Sequence, residues 1–322
     1  MSSPSTVTPE RHFLHCIAAG DSYLIDRRWV RGVYPAGSLL RAAGEDAHAG
    51  NLALDGATIP VYELARQLHG ACPGRGTGPA QVIVLATAPS AWGLLVDEVR
   101  TDVRAGEGAV LPLPPCVANL AYLEGVYQHD GKLMLVLSPS GLHPERPDEG
   151  DMEGARADAG IRMLPAPPVP PGRRVTEKKI LLCPVYRSNL PRRAVALGLS
   201  IAQVNEVGTP GPVITVPGAP PHVAGLTVWR NLALPVIDLG GAVADKPAAE
   251  RAAHRLVVAH APHSLEPAAF LVRAPVQVAH LPLACVPSRR ALPFDPTYLR
   301  GCFEIPNETV VVPDLDRLTA PA

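Results

Sequence analysis

A mainly β protein of two tandem, homologous domains is the architecture this sequence predicts. Three observations predict it: an internal repeat, apolar runs too short for long helices, and a proline-rich charged stretch between the two copies. The internal repeat is legible in the chain itself. Ile59-Pro60-Val61-Tyr62-Glu63-Leu64 reads like Leu234-Pro235-Val236-Ile237-Asp238-Leu239. Ile83 to Pro89 reads like Leu256 to Pro262, Leu94-Leu95-Val96 like Phe270-Leu271-Val272, and Tyr122-Leu123-Glu124-Gly125-Val126 like Tyr298-Leu299-Arg300-Gly301-Cys302. The order is preserved at an offset of about 175 residues, which is the signature of a duplicated unit.

The second observation is the length of the apolar runs. In the first copy they are Phe13 to Ala18, Val82 to Ala86, Gly93 to Val96 and Leu133 to Leu137. In the second they are Ile180 to Val185, Leu256 to Ala259, Phe270 to Val272 and Thr309 to Val312. Each is bounded by Gly, Pro, Asn or Asp, as strands of a sandwich or barrel are. Asp130-Gly131 between two such runs predicts a hairpin turn, because glycine tolerates positive φ. Helix is scarce: Glu63 to His69 predicts one short helix closed by Gly70, and Pro247 to Arg255 another turn or two. With 37 prolines and 28 glycines in 322 residues, long helices have little room.

The third observation sets the boundary. His143 to Glu153 is charged and turn-rich, and Pro165 to Pro171 reads PAPPVPP, a polyproline II spacer. The predicted division is a first domain at 10–142, a linker at 143–177 and a second domain at 178–320. The chain carries 47% hydrophobic and 18% charged residues, which suits folded domains rather than disorder. No apolar run reaches the roughly 18 residues of a membrane-spanning helix, and Met1 to Glu10 has no apolar signal core, so a cytoplasmic protein without membrane insertion is expected.

Chemistry-bearing motifs are few. The net charge of −1 and only 14 aromatics argue against a nucleic-acid surface. Cys16, Cys72, Cys116, Cys183, Cys285 and Cys302 are scattered singly, so neither a metal site nor a redox pair is expected, and Cys16, Cys183 and Cys302 read as core thiols. Gly74-Arg75-Gly76-Thr77-Gly78 lacks the Gly-Lys-Ser/Thr ending of a phosphate loop and reads as a flexible loop. His12 and His15 read as edge-strand histidines on opposite faces, and His260 and His263 as flanking a surface turn. Asp97 and Glu98 are adjacent, so on a strand their carboxylates diverge and make a poor acid–base pair. No nucleophile, base and oxyanion hole come together, and the acidic and histidine positions do not recur between the copies. What recurs is apolar framework, which suits a binding module. No catalytic residue and no cofactor is expected. An enzyme on a β frame would need a deep polar pocket or a bound cofactor, and an oligonucleotide-binding barrel would need stacking platforms.

A family resemblance is visible at particular residues. Trp92 to Val99, then Leu111-Pro112-Leu113-Pro114, Tyr122 to Val126 and Gly131-Lys132-Leu133 resemble the C-terminal part of a CheW domain. In the second copy the other part is the better match: Val204-Asn205-Glu206-Val207, Val216 to Leu226, Trp229-Arg230-Asn231 and Leu234 to Leu239. The resemblance implies that each domain is a pair of five-stranded SH3-like β-barrels around a shared core. It implies a non-enzymatic adaptor coupling chemoreceptor cytoplasmic tips to the regulatory domain of a CheA-type histidine kinase, with other CheW-like domains as further partners. A CheW-like adaptor of a pathway controlling pili, surface motility or gene expression is the alternative. The receptor groove it implies maps onto Val204, Glu206 and Arg230 in the second domain, where Glu206 and Arg230 are expected to form a salt bridge. In the first domain glycine stands for the glutamate in Val30-Arg31-Gly32-Val33, and aspartate for the arginine in Leu54-Asp55-Gly56, leaving Arg31 and Asp55 as another potential pair. That loss implies a division of labour. The second domain would meet the receptor, and the first would meet the kinase or another CheW-like domain through Leu94, Val96, Val99 and Leu113.

Overall fold

The computed structural model describes residues 10–41, 47–70, 79–87, 90–106, 109–143, 178–185, 194–238, 254–281, 286–287, 295–305 and 308–321. The Gly74–Gly78 loop, Cys72, Cys285, nearly all of the charged linker and most of Pro247–Arg255 lie outside them. In the first half the strands are β1 (Arg11–Ala18), β2 (Asp21–Asp26), β3 (Val30–Pro35), β4 (Leu39–Arg41), β5 (His48–Leu54), β6 (Ala57–Glu63), β7 (Gln81–Ala86), β8 (Ala91–Val96), β9 (Glu98–Ala105), β10 (Val110–Leu111), β11 (Leu123–His129) and β12 (Lys132–Leu137). The second half holds β13 (Lys178–Val185), β14 (Ala194–Ser200), β15 (Val204–Gly208), β16 (Val223–Trp229), β17 (Leu232–Ile237), β18 (His254–His260), β19 (Pro267–Arg273), β20 (Gln277–Leu281), β21 (Val286–Pro287), β22 (Leu299–Ile305) and β23 (Glu308–Pro313).

These strands form four sheets, two in each half. The outer pair run β10-β11-β12-β2-β1-β9 and β21-β22-β23-β14-β13-β20, an identical order. The inner pair run β3-β7-β8-β6-β5-β4 and β15-β18-β19-β17-β16. The repeat in the sequence is thus a repeat of topology. Three sheets have six strands and one has five, and the described pairings close none of them into a ring. Each half thus carries a pair of sheets, in keeping with the mainly β, two-domain architecture expected from the sequence. The missing sixth strand is a remnant: Leu40 pairs with Asn51 in β4–β5, whereas at the equivalent place Ile214 makes only an isolated bridge to Leu226.

Each outer sheet joins the beginning of its half to the end. β12 pairs in parallel with β2, and β23 with β14, so the inner sheet is an insertion between them. β1 lies between β2 and β9, so His12 and His15 stand on an interior strand rather than at the edge expected for them. The predicted short helix is present as α1 (Leu64–His69), closed by Gly70 at φ 71°. The turn expected near Pro247–Arg255 is not helical where it is described, since His254 and Arg255 begin β18.

Trp92, Tyr23, Leu94 and Leu135 are fully buried in the first half, and Phe270, Val257 and Leu226 in the second. Burying each such side chain stabilises the fold by about 1.5–3 kcal/mol. The halves also touch. Leu120 and Tyr122 lie against Gly218, the Tyr122 hydroxyl donates to the Pro217 carbonyl, and the helix Leu315–Thr319 packs on the turn Pro115–Val117.

Candidate functional site

In the second half, the inner sheet brings three chemically distinct side chains together at one hairpin end. The β16–β17 hairpin turns through Arg230 and Asn231, both in the left-handed region at φ 48° and 60°. Two such residues in succession make the tight turn whose twist matches a hairpin. The register of β15 against β18 shifts between Val204 and Glu206, a bulge that re-aims the glutamate. Its carboxylate accepts from Trp229 Nε1 at 2.9 Å and from Arg230 Nη2 at 3.0 Å. The Arg230 guanidinium lies 4.6 Å from the Trp229 ring centroid. The Trp229 hydrogen bond, assisted by the one from Arg230, holds the Glu206 carboxyl below its ordinary pKa.

The expected Glu206–Arg230 ion pair is therefore present, with side chains 44% and 69% exposed. An exposed pair of this kind is screened by salt and contributes little to stability. Its consequence is geometric, because it holds one cation and one anion at fixed positions beside an indole. Val204 is half-buried against the core rather than displayed with them. Val207 and Leu232, which follow Glu206 and the turn, are 43% and 45% exposed.

The same place in the first half is built from other residues. Gly32 pairs with Val84 as Glu206 pairs with Val258, so the two positions are equivalent. Asp55 and Gly56 occupy the left-handed turn, at φ 50° and 78°. A Cβ at Gly32 would meet the Tyr34 ring and hydroxyl at 2.9 Å. Tyr34 thus covers the space that Glu206 takes in the other half, where the residue at Tyr34's position is Gly208. No ion pair joins Arg31 to Asp55 among the described residues, so the alternative pairing expected there is absent.

Of the four residues expected to contact a kinase, Leu94 and Val96 are core side chains at 0% and 2% exposure. They cannot touch a partner while the sheet is intact, which corrects that expectation. Val99 and Leu113 are half-buried against the same core and keep some exposed surface. Asp97 and Glu98 do diverge: Asp97 accepts from the Ala19 N–H at 2.8 Å, while Glu98 binds Arg100. His260 reaches Asn205, and His263 reaches Asp316. Cys16 and Cys183 are fully buried and free, as expected of core thiols, but Cys302 is only partly covered. No metal-binding cluster of His, Cys, Asp or Glu occurs among the described residues, and no described helix is long and apolar enough to cross a membrane.

Two site residues escaped the sequence reading. Trp229 was legible in principle, since a tryptophan preceding a turn arginine is well placed to stack on it. Tyr34 carried no signal, because its role depends on the glycine two residues before it.

Comparison with known proteins adds to this geometry. A family model described as CheW-like domain matches residues 12–146 and again 191–321. Among solved structures, the chain is similar to the scaffolding protein TtCheW from Thermoanaerobacter tengcongensis. The identity is 23%, the match covers 40% of this chain and 90% of that one, and the TM-score is 0.36. No curated protein matches the chain.

Proposed function

The chain belongs to the CheW-like domain family, in two copies, and from that premise we propose that it is an adaptor coupling chemoreceptors to a CheA-type histidine kinase. The observation that carries the reading is the difference between the two equivalent hairpin ends. One framework is used twice, yet only the second copy presents a cation, an anion and an indole in a fixed arrangement. Such an arrangement suits a partner surface that offers both charges and an apolar contact. The receptor tip is therefore assigned to the second domain, through Glu206, Arg230 and Trp229. The kinase regulatory domain, or another CheW-like domain, is assigned to the first, through Val99 and Leu113.

A tandem arrangement favours this role energetically. Two domains on one chain raise the effective concentration of the second partner once the first is bound, without any new contact.

Binding of the full chain to a receptor cytoplasmic fragment and to the kinase regulatory domain tests the assignment. Arg230→Glu places two acids side by side and should weaken receptor binding at least tenfold, a loss of about 1.4 kcal/mol, with kinase binding unchanged. Undiminished receptor binding by that variant would refute the assignment to the second domain.

A further inference from the structure

The last helix of each half is held by a side chain, and the two halves use different ones. Leu142, in the helix Pro139–Leu142, and Leu318, in the helix Leu315–Thr319, are equivalent residues. In the first half the Leu142 carbonyl accepts from Gln67 Nε2 at 3.2 Å. In the second, the Leu318 carbonyl faces His222 Nε2 at 3.1 Å. A carbonyl only accepts, so Nε2 carries the proton. The other ring nitrogen, Nδ1, is buried and has no partner. The ring packs 4.4 Å from Tyr298, centroid to centroid. The helix it holds, Leu315–Thr319, is also the element that packs on the turn Pro115–Val117 of the first half.

We propose that His222 is an acid-sensitive latch, docking the C-terminal helix in neutral solution and releasing it, together with its contact to the first domain, on acidification. A proton can enter only at Nδ1, where it would create a buried donor with no acceptor. Burial accordingly depresses the imidazole pKa below its ordinary 6.5, against smaller opposing effects of the Leu318 carbonyl and Asp295. An undocked imidazole takes up the proton that the docked one resists. Docking is therefore fully stable above about pH 6.5 and weakens as pH falls below it. The equivalent carbonyl in the first domain, Leu142, has no such response, because the Gln67 amide that binds it does not titrate.

The neighbouring charges sharpen the test. Tyr298 and Asp295 face the ring from the turn Pro296–Tyr298 and its cap. On the helix, Asp316 binds Arg300 and His263, and its N-cap Asp314 pairs with Arg300 and Arg317. His263 is bonded to Asp316 on the helix itself, so a control must leave it in place.

Amide hydrogen exchange of the full chain, corrected for intrinsic rates, provides that test. Protection of Leu315–Thr319 should fall by up to about tenfold between pH 6.5 and 5.5. In His222→Gln, which offers a non-titrating amide to the same carbonyl and retains His263, it should stay level. Constant protection in the wild type, or an equal fall in His222→Gln, overturns the proposal. If His222→Gln leaves the helix unprotected at both pH values, imidazole nitrogen NMR of the wild type decides. A neutral Nε2–H ring persisting below pH 6.5 sustains the latch, and a ring already protonated at pH 6.5 refutes it.

Discussion

Tyr34 and Glu206 occupy the same volume in the two domains, reached from positions two residues apart on equivalent strands. Side chains two apart on a strand share a face, so a large group at one position needs glycine at the other. Gly32 with Tyr34 and Glu206 with Gly208 are the two solutions. The exchange predicts that Gly32→Ala destabilises the first domain unless Tyr34 is also truncated. Chemical denaturation should show a loss of about 1–3 kcal/mol, relieved in Gly32→Ala/Tyr34→Gly. Equal stability of the single and double variants would mean that the ring swings away at no cost. The cysteines follow burial in the same way. It pushes the Cys16 and Cys183 thiols up to about 12 and Cys116 to about 11. Thiolate is the reactive form. In a Cys72→Ser/Cys285→Ser background, a maleimide at pH 7.5 should therefore label the partly covered Cys302 first, and the other three only on unfolding. Labelling of Cys16 in the native protein would show that the outer sheet opens readily.

Strands and their repeat were the part of the molecule most open to sequence reasoning. The runs at Phe13, Val82, Gly93 and Leu133 all fall within β1, β7, β8 and β12, and Asp130-Gly131 turns a hairpin at φ 48° and 72°. Local patterning determines these features, because burial on alternate faces and turn chemistry act over a few residues. Which runs share a sheet was hidden, since β12 meets β2 across more than a hundred residues. The same blindness explains Leu94 and Val96: their composition suits a surface patch or a core, and only the pairing of β8 between β7 and β6 buries them. The glycine at the β16 bulge was likewise visible without its reason. Gly225 has φ 155°, and a Cβ there would lie 2.3 Å from the Ile214 carbonyl oxygen. That carbonyl accepts from Leu226 N in the bridge that replaces the sixth strand. Gly225→Ala should therefore cost about 1–3 kcal/mol and expose the Ile214 amide to exchange, whereas Gly211→Ala, where a Cβ approaches nothing closer than 3.8 Å, should do neither. Slow exchange at Ile214 in Gly225→Ala would show that the bridge tolerates the added atom.

At the scale of the molecule, duplication preserved a framework and changed one hairpin end of it. If that end alone decides which domain meets the receptor, the property should be transferable. The four positions are defined by register: Gly32, Tyr34, Leu54 and Asp55 stand where Glu206, Gly208, Trp229 and Arg230 stand in the second domain. Gly32→Glu, Tyr34→Gly, Leu54→Trp and Asp55→Arg together rebuild the anion, the cation and the indole on the first domain. The exchange is self-consistent, because removing the tyrosine ring opens the volume the new glutamate enters, and Asp55 already has the left-handed backbone that Arg230 adopts. Placed in a chain already carrying Arg230→Glu, the four changes should restore receptor binding through the first domain, with the weakening by salt expected of exposed charges. They should leave kinase binding intact, since Val99 and Leu113 lie on other elements. A folded chain that remains unable to bind the receptor would show that specificity resides outside the hairpin end, in surfaces the two domains do not share.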